Sequence, residues 1–161
     1  MPAVQPAPVI DVQIVDHPVR CVERARLPHT AGGECVFLGS TRADVHPVYG
    51  ALRRLTYHAY APLAIRTITE LAEEACRRFD CTIVRIHHAL GDVGPGEVSV
   101  LVETACRHRD QAFSACRFLI DRLKETAPIW KRETWADGTT WSRGNPVVTD
   151  EDTACPDTSS S

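Results

Sequence analysis

Two stretches of the chain repeat small and apolar residues with the period of an α-helix. Pro62 suits the first turn of a helix, and the repeat continues from there to about Arg78. Its apolar stripe comprises Ala64, Ile68, Leu71, Ala72, Ala75 and Phe79. Asp110 can cap a second helix, which ends near Lys124. Its stripe comprises Ala112, Cys116, Leu119, Ile120 and Leu123. The pattern therefore predicts two amphipathic helices.

Other segments alternate apolar and polar residues, or form short apolar runs, as strands do. They are residues 9–15, 34–39, 52–60, 82–88, 97–104, 129–135 and 140–143. The glycine-rich link at 91–96 predicts a hairpin with a wide loop, and Asp137-Gly138 predicts a tight turn. Residues 17–30 hint at a short helix before Pro28. Two helices among roughly six or seven strands, several joined by hairpins, indicate an α+β fold.

Composition sets the boundaries of one domain. The chain has 161 residues, enough for a single domain with a core, and it contains no internal repeat. Residues 1–8 are rich in Pro and Ala, and residues 145–161 are rich in Pro, Asp, Thr and Ser, which predicts two disordered tails. The folded domain is expected to span residues 9–144.

Charge and hydropathy exclude several classes of function. The formal net charge is −3, which argues against a general affinity for nucleic acid or for acidic membranes. Trp130, Trp135 and Trp141 interleave with basic residues, as in single-strand binders, but the acidic total favours core or interface tryptophans. No apolar run approaches the roughly 18 residues of a membrane span. The N-terminus lacks the features of a signal peptide, so we expect a cytoplasmic protein.

The seven cysteines are odd in number and contain no C-x-x-C pair, which argues against zinc knuckles and thioredoxin-like chemistry. Several occupy apolar positions of the predicted helices, so we expect buried free thiols. His87, His88, Cys106 and His108 suggest a metal site only superficially, because adjacent histidines on a strand point to opposite faces. No metal is predicted.

Basic residues lie at the predicted ends of four elements. They are Arg42, His108, Arg109, Lys124 and Lys131. Pro128 prevents one continuous helix through both lysines, so Lys124 is expected to close the second helix and Lys131 to lie in the strand that follows. Such cations suit an anionic ligand. Taken singly, each also fits a solvated loop or a helix terminus that favours cations, and the residues alone leave both interpretations open.

Seven motifs follow one another along the chain. They are FLGSTR at 37–42, LTYHAY at 55–60, HHALG at 87–91, GEVSV at 96–100, HRDQAF at 108–113, IDRLK at 120–124 and PIWKRE at 128–133. In their order and spacing they make the chain resemble the MoaE family, the large, catalytic subunits of molybdopterin synthase. The resemblance extends over roughly residues 9–143. It departs from the family at His58, where glutamate is usual, at Leu63, where methionine is usual, and at Ala89, where arginine is common.

The resemblance implies an α/β hammerhead-type fold and a homodimer of catalytic subunits. Each subunit would bind one small ubiquitin-like sulfur carrier, which gives a heterotetramer. The carrier's C-terminal Gly-Gly tail, activated as a thiocarboxylate, would enter a pocket and donate sulfur to cyclic pyranopterin monophosphate. Two such transfers would build the dithiolene of molybdopterin, with no metal or organic cofactor.

The resemblance also assigns roles to residues. Lys124 matches the central catalytic lysine, and Lys131 is expected to act with it. The residues that match substrate-binding positions are Ser40, Thr41, Arg42, His108, Arg109, Arg132, Glu133 and, more loosely, Arg143. Of these, His108 and Arg109 are thought to reach the site from the neighbouring subunit in this family.

One alternative is a non-catalytic homologue that keeps the fold and only binds a ubiquitin-like partner. The combination of Lys124 and Lys131 with Arg42 and the pair His108 and Arg109 favours the enzyme, because a binding module has no need of all these groups.

Overall fold

The computed structural model describes residues 7–20 and 27–142 of the chain. In these ranges the elements are β1 (Val9–Val15), β2 (Gly33–Ser40), β3 (Val45–His46), β4 (Gly50–Ala59), α1 (Ala61–Phe79), β5 (Cys81–Ala89), β6 (Gly91–Val93), β7 (Val98–Cys106), α2 (Arg109–Thr126), β8 (Ile129–Trp135) and β9 (Thr139–Trp141).

The strands form two sheets. The first has the order β1-β5-β7-β2, in which only the pair β1 and β5 is parallel. The second has the order β3-β4-β8-β9, with β6 beside β4, and all of its pairs are antiparallel. The predicted α+β fold with two helices and mostly antiparallel strands is therefore confirmed.

Both helices pack on one face of the first sheet. Ile68 of α1 and Leu119 of α2 are fully buried there, against Val84, Ile86 and Val102 of the sheet. Burying a side chain of this size stabilises the fold by about 1.5–3 kcal/mol. The predicted stripes form the core because helical spacing brings their residues to the same side.

The helix ends follow local chemistry. Asp80 ends α1 in the left-handed conformation, with φ 54°. The start of α2 differs from the prediction: His108 occupies the N-cap position without a side-chain capping bond, and Asp110 lies in the first turn, where the helix dipole favours an acid. The helix continues past Lys124 to Thr126. It ends there because Ala127 precedes Pro128 and adopts extended geometry, with ψ 128°.

Other predictions concern the loops. Strands β5 and β7 pair antiparallel as predicted, but the link between them contains β6, which joins the second sheet instead. Of the short helix expected in 17–30, residues 21–26 lie outside the described ranges, and residues 17–20 and 27–30 are not helical. The described residues form nine strands, more than expected, because β3 and β6 are only two and three residues long.

Candidate functional site

Two cavities meet where α2 runs into β8, between the two sheets. The smaller, about 280 Å³, is called the narrow cavity, and the larger, about 460 Å³, is called the wide cavity. The residues that line both are Tyr57, Ser99, Val100, Lys124 and Lys131. The two predicted lysines therefore lie at the border between the cavities.

The narrow cavity has largely apolar walls. They come from the last turns of α2, the start of β8 and strand β7, and consist of Val100, Ile120, Leu123, Ala127 and Ile129. Polar groups of His88, Tyr57, Ser99 and Ser142 are set among them. A cavity of this kind suits a slender, mostly uncharged chain segment with a reactive polar end.

The wide cavity is polar. It is lined by Ser40, Thr41 and Arg42 from the end of β2, and by Glu133 of β8. The Arg42 guanidinium is exposed and lies 3.0 Å from the Asp44 carboxylate. Cations and hydroxyls around an open cavity suit an anionic ligand.

The segment that carries Ser40, Thr41 and Arg42 is held by backbone contacts. The Ser99 hydroxyl donates to the Gly39 carbonyl at 3.2 Å, beside a register irregularity between Gly39 and Ser40. The Thr41 N–H donates to the Glu97 carbonyl at 2.9 Å, and the Gly96 N–H donates to the Thr41 carbonyl at 2.8 Å. These bonds fix the direction in which the end of β2 enters the cavity.

The Thr41 hydroxyl is a buried polar group that lacks a hydrogen-bond partner among the described residues. The residue is only 4% exposed, and its Oγ1 has no hydrogen-bond partner within the described ranges. Burying a polar group without a partner is costly, so such a group at the wall of a cavity points to a ligand that supplies the missing bond.

Lys131 reaches the site from a well-braced strand. It pairs with Tyr57 across β4 and β8, and its Nζ lies 3.6 Å from Glu133 Oε1. The Thr140 hydroxyl donates to Glu133 Oε2 at 3.0 Å and accepts from Trp135 Nε1 at 2.9 Å. Lys131 and Glu133 lie on one side of β8, because residues two apart in a strand point to the same face.

Tyr57 separates the two cavities. Burial raises the pKa of its phenol, the nearby Glu133 carboxylate raises it further, and a hydrogen bond with Ser99 opposes both effects. The phenol is therefore neutral near pH 7 and can donate a hydrogen bond. The ring of His88 lies edge-on to it, with centroids 5.1 Å apart.

His108 and Arg109 lie at the opposite end of α2 from Lys124. Fifteen residues of α-helix separate Arg109 from Lys124, a distance of about 22 Å. Both side chains are exposed, and neither lines the narrow or the wide cavity. The helix start packs against Gly33, where a Cβ would lie 2.8 Å from the Arg109 Cα. Within one subunit the structure does not bring this pair to the lysines.

Arg132 also lies apart from the cavities. It pairs with Thr56 and with Trp141, on the opposite face of β8 from Lys131. Its Nε is buried and has no partner among the described residues. Arg143 lies outside the described ranges. The predicted site residues that do line the cavities are Ser40, Thr41, Arg42, Lys124, Lys131 and Glu133.

Sequence reasoning missed Tyr57, His88 and Ser99 as cavity residues. The alternation of β5 shows that His87 and His88 face opposite sides, and the structure confirms this: His87 contacts Asp11 at 3.0 Å, whereas His88 faces the narrow cavity. No local signal tells which of the two faces a cavity, because the cavity forms between elements distant in sequence.

Two features are absent from the described residues. In residues 7–20 and 27–142, no three or more His, Cys, Asp and Glu side chains are arranged to hold a metal ion. Within the same parts of the chain, no helix is both long and apolar enough to cross a membrane.

The chain is an α+β protein with two lysines between an apolar cavity and a polar one, an arrangement that suits an anionic ligand. The particular family is shown by its model: that of the MoaE protein matches residues 11–126, a range that includes Lys124 but not Lys131. The chain belongs to the MoaE family, and the predicted family is confirmed.

Relatives with established names agree. A molybdopterin synthase catalytic subunit from Caulobacter vibrioides is 42% identical over 110 residues, covering 68% of this chain and 71% of the relative. Another from Nostoc sp. is 46% identical over 89 residues, but the match spans only 54% of each chain. These relatives are enzymes, as predicted for this chain.

Solved structures share the fold. The molybdopterin synthase of Staphylococcus aureus has a TM-score of 0.74 at 32% identity, covering 80% of this chain and 94% of that one. A complex of subunits 1 and 2 of the molybdopterin-converting factor from Helicobacter pylori contains a chain with a TM-score of 0.64 at 20% identity, covering 82% and 90%. The second likeness concerns the fold alone.

Proposed function

We propose that this chain is a sulfur-inserting transferase of molybdenum cofactor biosynthesis. It would transfer sulfur from the thiocarboxylated tail of a small ubiquitin-like carrier to cyclic pyranopterin monophosphate, forming the dithiolene of molybdopterin. The observation that carries the proposal is the position of Lys124 and Lys131 on the border shared by the narrow and the wide cavity. The relatives are named catalytic subunits, and this name supports the existence of a second, partner subunit.

The carrier tail fits the narrow cavity. A Gly-Gly segment has no side chains, so it can enter between apolar walls that would exclude bulkier residues. Its thiocarboxylate would lie between Lys124 and Lys131, whose ammonium groups offset its negative charge.

The pterin fits the wide cavity. Its cyclic phosphate is an anion, and Arg42 offers a planar fork of donors at the rim. Ser40 adds a hydroxyl, and the orphaned Thr41 hydroxyl gains the partner that the protein does not supply. Glu133, which holds Lys131 at 3.6 Å, sets the position of the ammonium group at the boundary.

The chemistry then needs charge stabilisation more than a cofactor. The thiocarboxylate sulfur bonds to a carbon of the pterin that carries oxygen, a carbon–oxygen bond at that carbon breaks, and its electron pair leaves negative charge on the oxygen. Lys124 and Lys131 can stabilise that charge or deliver a proton to it.

His108 and Arg109 would serve a second subunit. They lie about 22 Å from Lys124 along α2, so in a homodimer they would complete the site of the neighbouring subunit. Two such subunits, each with one carrier, make the heterotetramer that we propose. Two further arginines are candidates for anion contacts. Arg132 lies on the opposite face of β8 from Lys131, and Arg143 follows Ser142 in the sequence.

Reconstitution tests the proposal. The full chain, a thiocarboxylated carrier and cyclic pyranopterin monophosphate are combined, and the product is detected by mass. The expected result is a product with two added sulfurs and a carrier returned to its carboxylate. A chain that binds the carrier tightly but yields no sulfurated product would favour the non-catalytic alternative instead.

A further inference from the structure

His88 is the buried titratable group of the narrow cavity. It lies on β5, on the side of the first sheet that faces the helices, and it is only 5% exposed. It lines the same cavity as Lys124 and Lys131. His88 is not one of the groups that bind the carrier tail or the pterin in the proposed function.

The hydrogen bonds of His88 fix its tautomer. Its Nδ1 lies 2.7 Å from the Ala89 carbonyl, which can only accept, so Nδ1 carries the proton. Burial lowers the pKa of the imidazole, more than the bond to Ala89 raises it, so the ring is neutral near pH 7. Nε2 therefore carries the free lone pair of the ring, and the one hydrogen bond of the ring found in residues 7–20 and 27–142 is made by Nδ1.

Atom balance of the proposed reaction requires a water step. When the sulfur bonds to the pterin, the carrier tail becomes joined to it through an acyl–sulfur bond. The carrier can leave only when that bond breaks, and the oxygen that replaces the sulfur must come from water. Water attacks an acyl carbon faster when a base takes its proton.

Few groups in the narrow cavity can be that base. Lys124 and Lys131 are cations, and no carboxylate lines this cavity among the described residues. The Tyr57 phenol is neutral, because burial raises its pKa. The Ser99 hydroxyl already donates to the Gly39 carbonyl. Among the described residues that line this cavity in the resting site, the neutral imidazole is the group with a free basic lone pair.

We propose that His88 is the general base that releases the carrier, an inference that rests on the proposed function. Nε2 takes a proton from water as the water oxygen bonds to the acyl carbon of the carrier tail. The acyl–sulfur bond then breaks, and its electron pair leaves with the sulfur on the pterin. The imidazolium returns the proton to that thiolate, and the carboxylic acid of the carrier loses its own proton to solvent.

Two substitutions test the proposal in the full chain with its carrier. His88→Asn keeps a side-chain N–H near the Ala89 carbonyl and removes Nε2. His88→Gln places an amide near Nε2 that cannot act as a base. In single turnovers we expect carrier release to slow about 100-fold or more in both variants. The carrier–pterin thioester should accumulate, seen by intact mass, while the carrier KM stays unchanged.

The outcomes separate the two proposals. If the wild-type chain forms no sulfurated product, the proposed function fails, and that arm is run first. If the wild type is active, carrier release at the wild-type rate in either folded variant overturns the role of His88. A raised carrier KM without any trapped thioester also overturns it, because that result indicates packing alone.

If both variants unfold, a solvent isotope effect measured on the wild type still tests the role of His88. Transfer of the water proton to Nε2 should make single-turnover carrier release slower in deuterium oxide than in water. Equal rates in the two solvents would contradict the proposal.

Discussion

Thr41 shows how one side chain reports a ligand. Its hydroxyl is buried at the wall of the wide cavity and has no partner among the described residues. An unsatisfied buried hydroxyl costs about 1–3 kcal/mol. The fold tolerates this cost where a ligand removes it, which explains a polar residue at a position that packing alone would fill with valine.

We predict that Thr41→Val leaves the free energy of unfolding unchanged or raises it by up to about 1 kcal/mol, because the shape is kept and the orphan is removed. The KM for cyclic pyranopterin monophosphate should rise. Denaturant melts and steady-state kinetics check both effects. A marked loss of stability together with an unchanged KM would mean that the hydroxyl serves the fold.

Lys124 lies in the last turn of α2, where the helix dipole alone favours a cation. Lys124 also lines both cavities, and this position favours a catalytic role over a role in stabilising the helix end alone.

We predict that Lys124→Ala abolishes conversion of the cyclic pterin by thiocarboxylated carrier, while the proposed dimer persists in size-exclusion chromatography. The matched control is Arg122→Ala, which removes an exposed cation from the same helix that lines neither cavity. Near-normal turnover by the Lys124 variant would remove it from the mechanism.

Among the elements, the junction of α2 and β8 has the largest effect on the site. Ala127 adopts extended geometry before Pro128, and its N–H still bonds to the Leu123 carbonyl at 3.0 Å. The chain then turns into β8, which pairs with β4 in the second sheet. This reversal places Lys131 beside the helix end that carries Lys124, so a proline helps to bring the two cations together.

The helices and the first sheet also enclose the cysteines. Cys81, Cys106 and Cys116 are buried, Cys35 and Cys76 are half-buried, and all five are free thiols, as predicted; Cys21 and Cys155 lie outside the described ranges. Burial raises the pKa of Cys76 to about 11 and that of Cys116 to about 12.

We predict slow alkylation of Cys76 and Cys116 by iodoacetamide at pH 8. The thiolate is the reactive form, and with a pKa of about 11 only about one Cys76 thiol in a thousand is ionised at that pH. The rate should rise as the pH approaches these pKa values and in urea. Peptide mapping by mass follows each cysteine, and labelling of Cys76 as fast as a free model thiol would contradict the burial argument.

In the whole molecule, the proposed site draws on two chains. The pair His108 and Arg109 and the proposed catalytic Lys124 lie at opposite ends of α2, and a helix cannot shorten to bring them together. The proposed two-fold dimer would solve this, because each subunit would supply one end of its helix to each of two sites.

We predict that Arg109→Ala chiefly weakens binding of the cyclic pterin, with little effect on stability because the side chain is exposed. If Arg109 acts across the dimer, an equal mixture of the Arg109→Ala and Lys124→Ala chains should regain about a quarter of wild-type activity. About half of the dimers would then be mixed, and each mixed dimer would have one intact site of its two. Activity that stays at the level of the separate variants would mean that both residues act within one subunit, and unchanged pterin affinity would remove Arg109 from the site.

The sequence by itself determined the main elements and identified six residues of the cavity lining, Ser40, Thr41, Arg42, Lys124, Lys131 and Glu133. The two helical stripes, the main strands and the break at Pro128 are local properties, set by side-chain periodicity and by the missing N–H of proline. The family followed from motifs in order, which identified Lys124 and Lys131. The domain limits of 9–144 stay a prediction, because residues 1–6 and 143–161 lie outside the described ranges.

Only the tertiary structure decided how distant elements meet. It placed β6 on the second sheet, put Tyr57 between the two cavities, and turned His88 rather than His87 toward the narrow one. These features depend on sheet register and on packing between segments far apart in the chain, and no local pattern of residues encodes either.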